Sequence, residues 1–173
     1  MLKEFEKPGN VGEAVVNRRT NSSISALNLY NEEIGGGYEF FRRPADTWDI
    51  PSAIITLNKN VYRDYSDGGN GRSKSPTKSI GYCARYVRLA LEAGGISVNK
   101  DRPKSAYEYA YWLYKYGGFS TLDKAGYKEL HGDIVVFNRM NGHPDGHIAM
   151  WNGDNWVSDF IQNSIYTSKD YQH

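Results

Sequence analysis

Cysteine is almost missing from this chain of 173 residues: there is one, Cys83. A single thiol excludes an intrachain disulfide, and with it a disulfide-stapled secreted scaffold. It also excludes a zinc site built from several cysteines. An excess of one charge is missing too. The formal net charge is +1, whereas a general nucleic-acid binder carries a basic excess. No run approaches the ~20 consecutive apolar residues of a membrane span. The opening Met1-Leu2-Lys3-Glu4-Phe5-Glu6 lacks the apolar core of a secretory signal. Nucleic acid and membrane therefore drop out as partners. What is present is tyrosine (14) and glycine (18) in a chain long enough for one domain, or one domain with an extension.

Residues 1–74 read as an N-terminal extension, either part of the fold or a cover over a cleft. Within them Tyr38-Glu39-Phe40-Phe41 and Ala53-Ile54-Ile55-Thr56-Leu57 each have the aromatic or β-branched content of a short strand. The glycine- and serine-rich run from Asp64 to Pro76 reads as a linker or loop. From Ser79, a plausible N-cap, the pattern becomes regular. Cys83, Val87, Ala90, Leu91 and Gly94 share one helical face, and Gly94-Gly95 stops a helix that begins near Ile80. A second helix, with Pro103 in its first turn, turns Ala106, Tyr109, Ala110 and Leu113 to one side and ends at Gly117-Gly118. Strands follow at Asp133 to Asn138, Gly146 to Trp151 and Trp156 to Ile161, the last two joined by the hairpin signal Asn152-Gly153-Asp154-Asn155. Helix, helix, then an antiparallel meander is an α+β order.

The chemistry starts from Cys83. In the first turn of a helix it meets the partial positive charge of the N-terminus, which favours the nucleophilic thiolate. A buried structural cysteine on an apolar face would look the same. His147 tips the balance, since it opens a strand and supplies a base able to face a helix start. His143 lies in a loop before a proline, and His131 and His173 are placed incidentally. The imidazole then needs an orienting group, and Asp159 on the partner strand is the best-placed carboxylate. If Trp151 pairs with Trp156, Asp159 points to the wrong face, so a bulged turn within Asn152 to Asn155 is expected. Ser158 and Asn163 are fallback orienting groups.

The run Ser79-Ile80-Gly81-Tyr82-Cys83-Ala84-Arg85-Tyr86-Val87-Arg88-Leu89-Ala90-Leu91-Glu92-Ala93-Gly94-Gly95 resembles the catalytic helix of CHAP/NlpC-type, papain-like peptidoglycan hydrolases. Gly132-Asp133-Ile134-Val135-Val136-Phe137 followed by Gly146-His147-Ile148-Ala149-Met150-Trp151 resembles their paired core strands. With Trp156-Val157-Ser158-Asp159-Phe160 the set is similar to amidase effectors of type VI secretion. The resemblance implies a catalytic domain over 75–173, with Cys83 as nucleophile, His147 as base and Asp159 as the orienting residue. Tyr82, Trp151 and Ser158 are the implied substrate contacts. It implies hydrolysis of a peptide bond in a peptidoglycan stem peptide or cross-bridge, without a cofactor. An immunity protein is the implied partner of such a toxin. The chain would be made in the cytoplasm without a signal peptide, then delivered to the periplasm and wall of a target cell. A phage-type endolysin, a non-catalytic wall- or partner-binding module, and a deamidating toxin acting on a host protein are the alternatives.

Other signals have plainer readings. Tyr107, Tyr109, Tyr111, Trp112, Tyr114 and Tyr116 suit a glycan surface, but suit a core helix better. Asp64, Asp67 and Asn70 hint at a calcium loop, but the spacing is not that of an EF-hand, and no metal is expected. Arg72, Lys74 and Lys78 read as a solvated loop rather than a surface that steers an anionic polymer.

Overall fold

The computed structural model describes residues 37–66 and 78–172. Among them five strands form one antiparallel sheet ordered β2-β1-β3-β4-β5, with β1 at Tyr38–Arg42, β2 at Ser120–Leu122, β3 at Ile134–Phe137, β4 at His147–Trp151 and β5 at Trp156–Val157. The helices are α1 at Ile50–Ser66, α2 at Cys83–Ala93 and α3 at Tyr109–Lys115, the last entered through a 3-10 turn at Ala106–Glu108. The architecture is α+β. None of the helices is long and apolar enough to cross a membrane.

Alternation along the strands builds two cores. Ile134, Val136, Ile148 and Met150 join Phe41 and the helix residues Leu57, Val61, Val87 and Leu91 in the larger one. Val135, Phe137 and Ala149 join Phe40, Trp156 and Tyr171 in a second cluster. Both faces of the central strands are covered, which is why β3 is apolar at every position.

Residues 38–66, grouped by the sequence pattern with the N-terminal extension, lie inside this fold. β1 sits between β2 and β3, and α1 packs along α2. Ala53–Leu57 is not a strand but part of α1. Ala53, Leu57 and Val61 recur every four residues and are fully buried, while Ile55 is 65% exposed, and only a helix sorts them that way. Asp49 fixes the start of α1, its Oδ1 accepting from the Ser52 N–H at 3.0 Å and its Oδ2 from the Ser52 hydroxyl at 2.6 Å.

Three boundaries also move. α2 begins at Cys83 with Tyr82 as its N-cap, not at Ile80 behind Ser79. The second helix is capped by Ser105 and Glu108 in a reciprocal capping box, downstream of Pro103. β5 stops at Val157. Trp151 does pair with Trp156, and Asn152 N–H donates to Asn155 O at 3.0 Å, so the turn carries no bulge. Instead the chain folds back on itself beyond β5. Ser158 N–H donates to Phe160 O, and Val157 bridges to Ile161. The calcium reading at Asp64, Asp67 and Asn70, and Arg72 and Lys74, fall on side chains outside the described residues.

Candidate active site

Cys83 is the first residue of α2, and a tight loop delivers it. Gly81 turns that loop with φ +83°, a conformation that side-chain-bearing residues rarely adopt. The fully buried Asp159 holds the loop in place. Its Oδ2 accepts from the Ile80 N–H at 2.7 Å, the Tyr82 N–H at 3.0 Å and the Ser79 hydroxyl at 2.9 Å. Its Oδ1 accepts from the Ser158 hydroxyl at 3.1 Å. A carboxylate that takes backbone N–H groups just ahead of a helix complements the positive end of that helix.

His147 opens β4 and is 6% exposed. Gly146 before it has φ +66°, and a Cβ there would run into Phe137 O and come within 2.8 Å of Tyr107 Cβ. The glycine is what lets the chain enter β4 this close to β3. Cys83 and His147 both line a cavity of about 440 Å³, walled also by Phe160 and Tyr171.

Burial dominates the electrostatics of both groups. It pushes the Cys83 thiol up to about 12, reinforced by the charge of Asp159 and opposed by the N–H groups of Ile148 and Ala84. It pulls His147 down to about 4, against the Asp159 charge, while His143 adds to the downward pull. Near neutrality the site therefore holds a thiol and a neutral imidazole. The thiolate expected from the helix N-terminus is not the resting form, because desolvation outweighs a partial charge.

The side chain hydrogen-bonded to His147 among the described residues is Gln162, with its Nε2 2.7 Å from His147 Nε2. Gln162 is 3% exposed, and its Oε1 is buried without a hydrogen-bond partner. The two ends of an amide are interchangeable in shape, and each orientation selects a different imidazole tautomer. A nitrogen donor would force the ring proton onto Nδ1, whereas an oxygen acceptor places it on Nε2 and leaves Nδ1 as a base. Turning the amide also gives the orphaned oxygen a partner.

The remaining site residues from the sequence separate. Asp159 makes no hydrogen bond to His147 and acts on it through charge alone. Tyr82, 47% exposed, lines a second cavity that shares Cys83 with the first. Ser158 is fully buried between Asp159 and Gln162 and lines neither cavity. Trp151 lies at the far end of β4, ~13 Å along the strand from His147, packed on Trp156 in the second core. Gln162 was not among the expected residues.

No family model and no curated protein matches the chain. Two crystal structures of the type VI effector–immunity complex Tae3–Tai3 from Ralstonia pickettii are similar to it. One, the selenomethionine form, is 34% identical, with 69% of this chain and 89% of that chain covered and a TM-score of 0.52. The native form is 31% identical, covering 71% and 88% respectively, again with a TM-score of 0.52. The chain belongs to the Tae3 family. Nearly the full length of the Tae3-type neighbour is matched, and the α+β architecture is common to both. In those structures Tae3 is solved together with Tai3, an effector beside its immunity protein.

Proposed function

We propose that this protein is a type VI antibacterial effector, a cysteine amidase or endopeptidase that hydrolyses peptide bonds of bacterial peptidoglycan. One observation carries the reading. The only thiol of a Tae3-family chain stands at a helix N-terminus and shares a cavity with a buried histidine. The CHAP/NlpC-like motifs around Cys83, Asp133 and His147 support papain-like chemistry on this scaffold.

In that chemistry His147 accepts the Cys83 proton as the sulfur attacks the scissile carbonyl, so thiolate and imidazolium arise together rather than at rest. The carbonyl oxygen becomes an oxyanion. The Cys83 N–H, which has no acceptor within its own helix, donates to it. Collapse breaks the C–N bond, and His147 returns its proton to the leaving amine. Water, deprotonated by His147, then hydrolyses the thioester and restores the thiol. Gln162 orients the imidazole through Nε2. Asp159 fixes the loop that carries Cys83 and stabilises the imidazolium through space. Tyr82 borders the bound peptide. The reading extends to delivery into a target cell, action on its wall, and an immunity protein covering the cleft in the producing cell.

Incubating purified sacculi with the protein and analysing the soluble products tests this. New amino termini without new reducing ends are expected. New reducing ends, which report glycan cleavage, or no release at all would overturn it.

A further inference from the structure

Cys83 lines two adjoining cavities, which also share Gly81 and Asp145, and they differ in chemistry. The first holds His147. The second, of about 220 Å³, is lined by Arg85, Arg88, Arg102 and Lys104 beside Cys83 and Tyr109. Four cationic residues line it from two different segments, α2 and the loop that precedes α3. The single carboxylate in its lining, Asp145, is engaged by the Ser105 hydroxyl at 2.9 Å. Arg88 is held by Glu92 at 3.1 Å and 3.2 Å. Arg85 and Arg102 have no such anchor among the described residues. Burial pushes the Tyr109 hydroxyl up to about 12, while the charges of Arg88 and Arg102 pull it the other way.

We infer that this second cavity is an anion subsite for the acyl half of the substrate: it takes a peptide carboxylate lying within about one residue of the scissile carbonyl. The assignment rests on the hydrolase reading above, and the direction follows from the proton it must return. The leaving amine collects that proton from His147, so the amine half occupies the cavity that His147 lines. The acyl half then falls to the other cavity that Cys83 lines, where the arginines stand. Guanidinium forks match carboxylates in a bidentate geometry. Each charge-assisted pair contributes roughly tenfold to a hundredfold in rate or affinity. The subsite would therefore discriminate stem peptides with free carboxyls from those whose carboxyls are amidated.

The test uses the full chain and two cross-linked muropeptides, one with the carboxyls of the acyl-side stem free and one with them amidated. Wild type is expected to favour the free form at least about tenfold in kcat/KM. The double variant Arg85→Gln/Arg102→Gln, both exposed positions, is expected to lose rate on the free form until the two substrates differ less than about twofold. Equal processing by wild type, or a preference that survives the double variant, would overturn the subsite. Calorimetric binding of both muropeptides to Cys83→Ala separates the two claims. A preference in affinity with no hydrolysis by wild type keeps the subsite and sinks the hydrolase. Cys83-dependent hydrolysis with equal affinities does the reverse.

Discussion

Asp133 and Asp159 are both fully buried aspartates at the ends of sheet strands, and they do opposite things. Asp133 is closed by a cation. Arg42 grips it through two bonds of 2.7 Å, and the Tyr127 hydroxyl and Leu130 N–H complete its shell at 2.8 Å and 3.0 Å. It ties β1 to β3 and to the loop before β3, and its charge is spent there. Asp159 has no cationic partner among the described residues. Its donors are two hydroxyls and two N–H groups, so its charge still reaches Cys83 and His147. The pair teaches that a buried carboxylate is read from its partners. Paired with arginine it staples the sheet, and held by neutral donors it can act on a reaction.

The largest effect should come from breaking the staple. Asp133→Ala takes the acceptor from Arg42, the Tyr127 hydroxyl and the Leu130 N–H and is expected to cost about 3 kcal/mol in denaturant unfolding, while the protein that remains folded keeps its specific activity. A loss below about 1 kcal/mol would dissolve the contrast.

Acid should expose the other side next. His147 resists protonation down to about 4 in the fold, against its ordinary value of 6.5. Between those values the unfolded chain binds more protons than the folded one. Stability is therefore complete above pH 6.5 and falls as the pH drops toward 4, by up to about 3 kcal/mol from this group. Urea titrations across that range should show the fall in wild type and a flatter profile in His147→Gln.

Asp159→Asn keeps the shape and removes the charge. It is expected to slow hydrolysis about 30-fold while costing only about 1 kcal/mol of stability, the inverse of the Asp133 pattern. The smallest effect belongs to Gln162. Gln162→Ala should lower kcat about tenfold with KM unchanged, since it frees the imidazole to turn. Gln162→Glu should instead move the acid limb of the pH–rate profile upward, because a carboxylate beside His147 favours the imidazolium.

The contrast also marks how far sequence pattern carries. The faces of α2 and α3 were legible, because Val87, Ala90 and Leu91, then Tyr109, Ala110 and Leu113, recur at helical spacing and are buried. Strands β3 and β4 were legible from their apolar runs and the turns that bound them, whereas the regular Trp151–Trp156 pairing was not, because placing Asp159 beside His147 called for a bulge that the turn lacks. The α1 segment was not, since Ile54-Ile55-Thr56 looks like a strand when read over five residues, and the helical period of Ala53, Leu57 and Val61 emerges only over nine. Cys83 and His147 stood out as chemistry, and the structure opens both into one cavity. The partners of His147 and Asp159 were hidden. They depend on a chain reversal at Ser158–Phe160 that ends β5 early and swings Gln162 inward. Nothing local in Phe160-Ile161-Gln162 announces that reversal.

The account turns on Cys83 attacking the substrate and His147 moving its proton. The most direct measurement compares cleavage of one purified cross-linked muropeptide by wild type and by Cys83→Ala, each confirmed folded by its unfolding midpoint. Wild type is expected to convert it to two smaller peptides, and Cys83→Ala to show no turnover above the buffer control. Cleavage by Cys83→Ala at a rate near that of wild type would contradict the account.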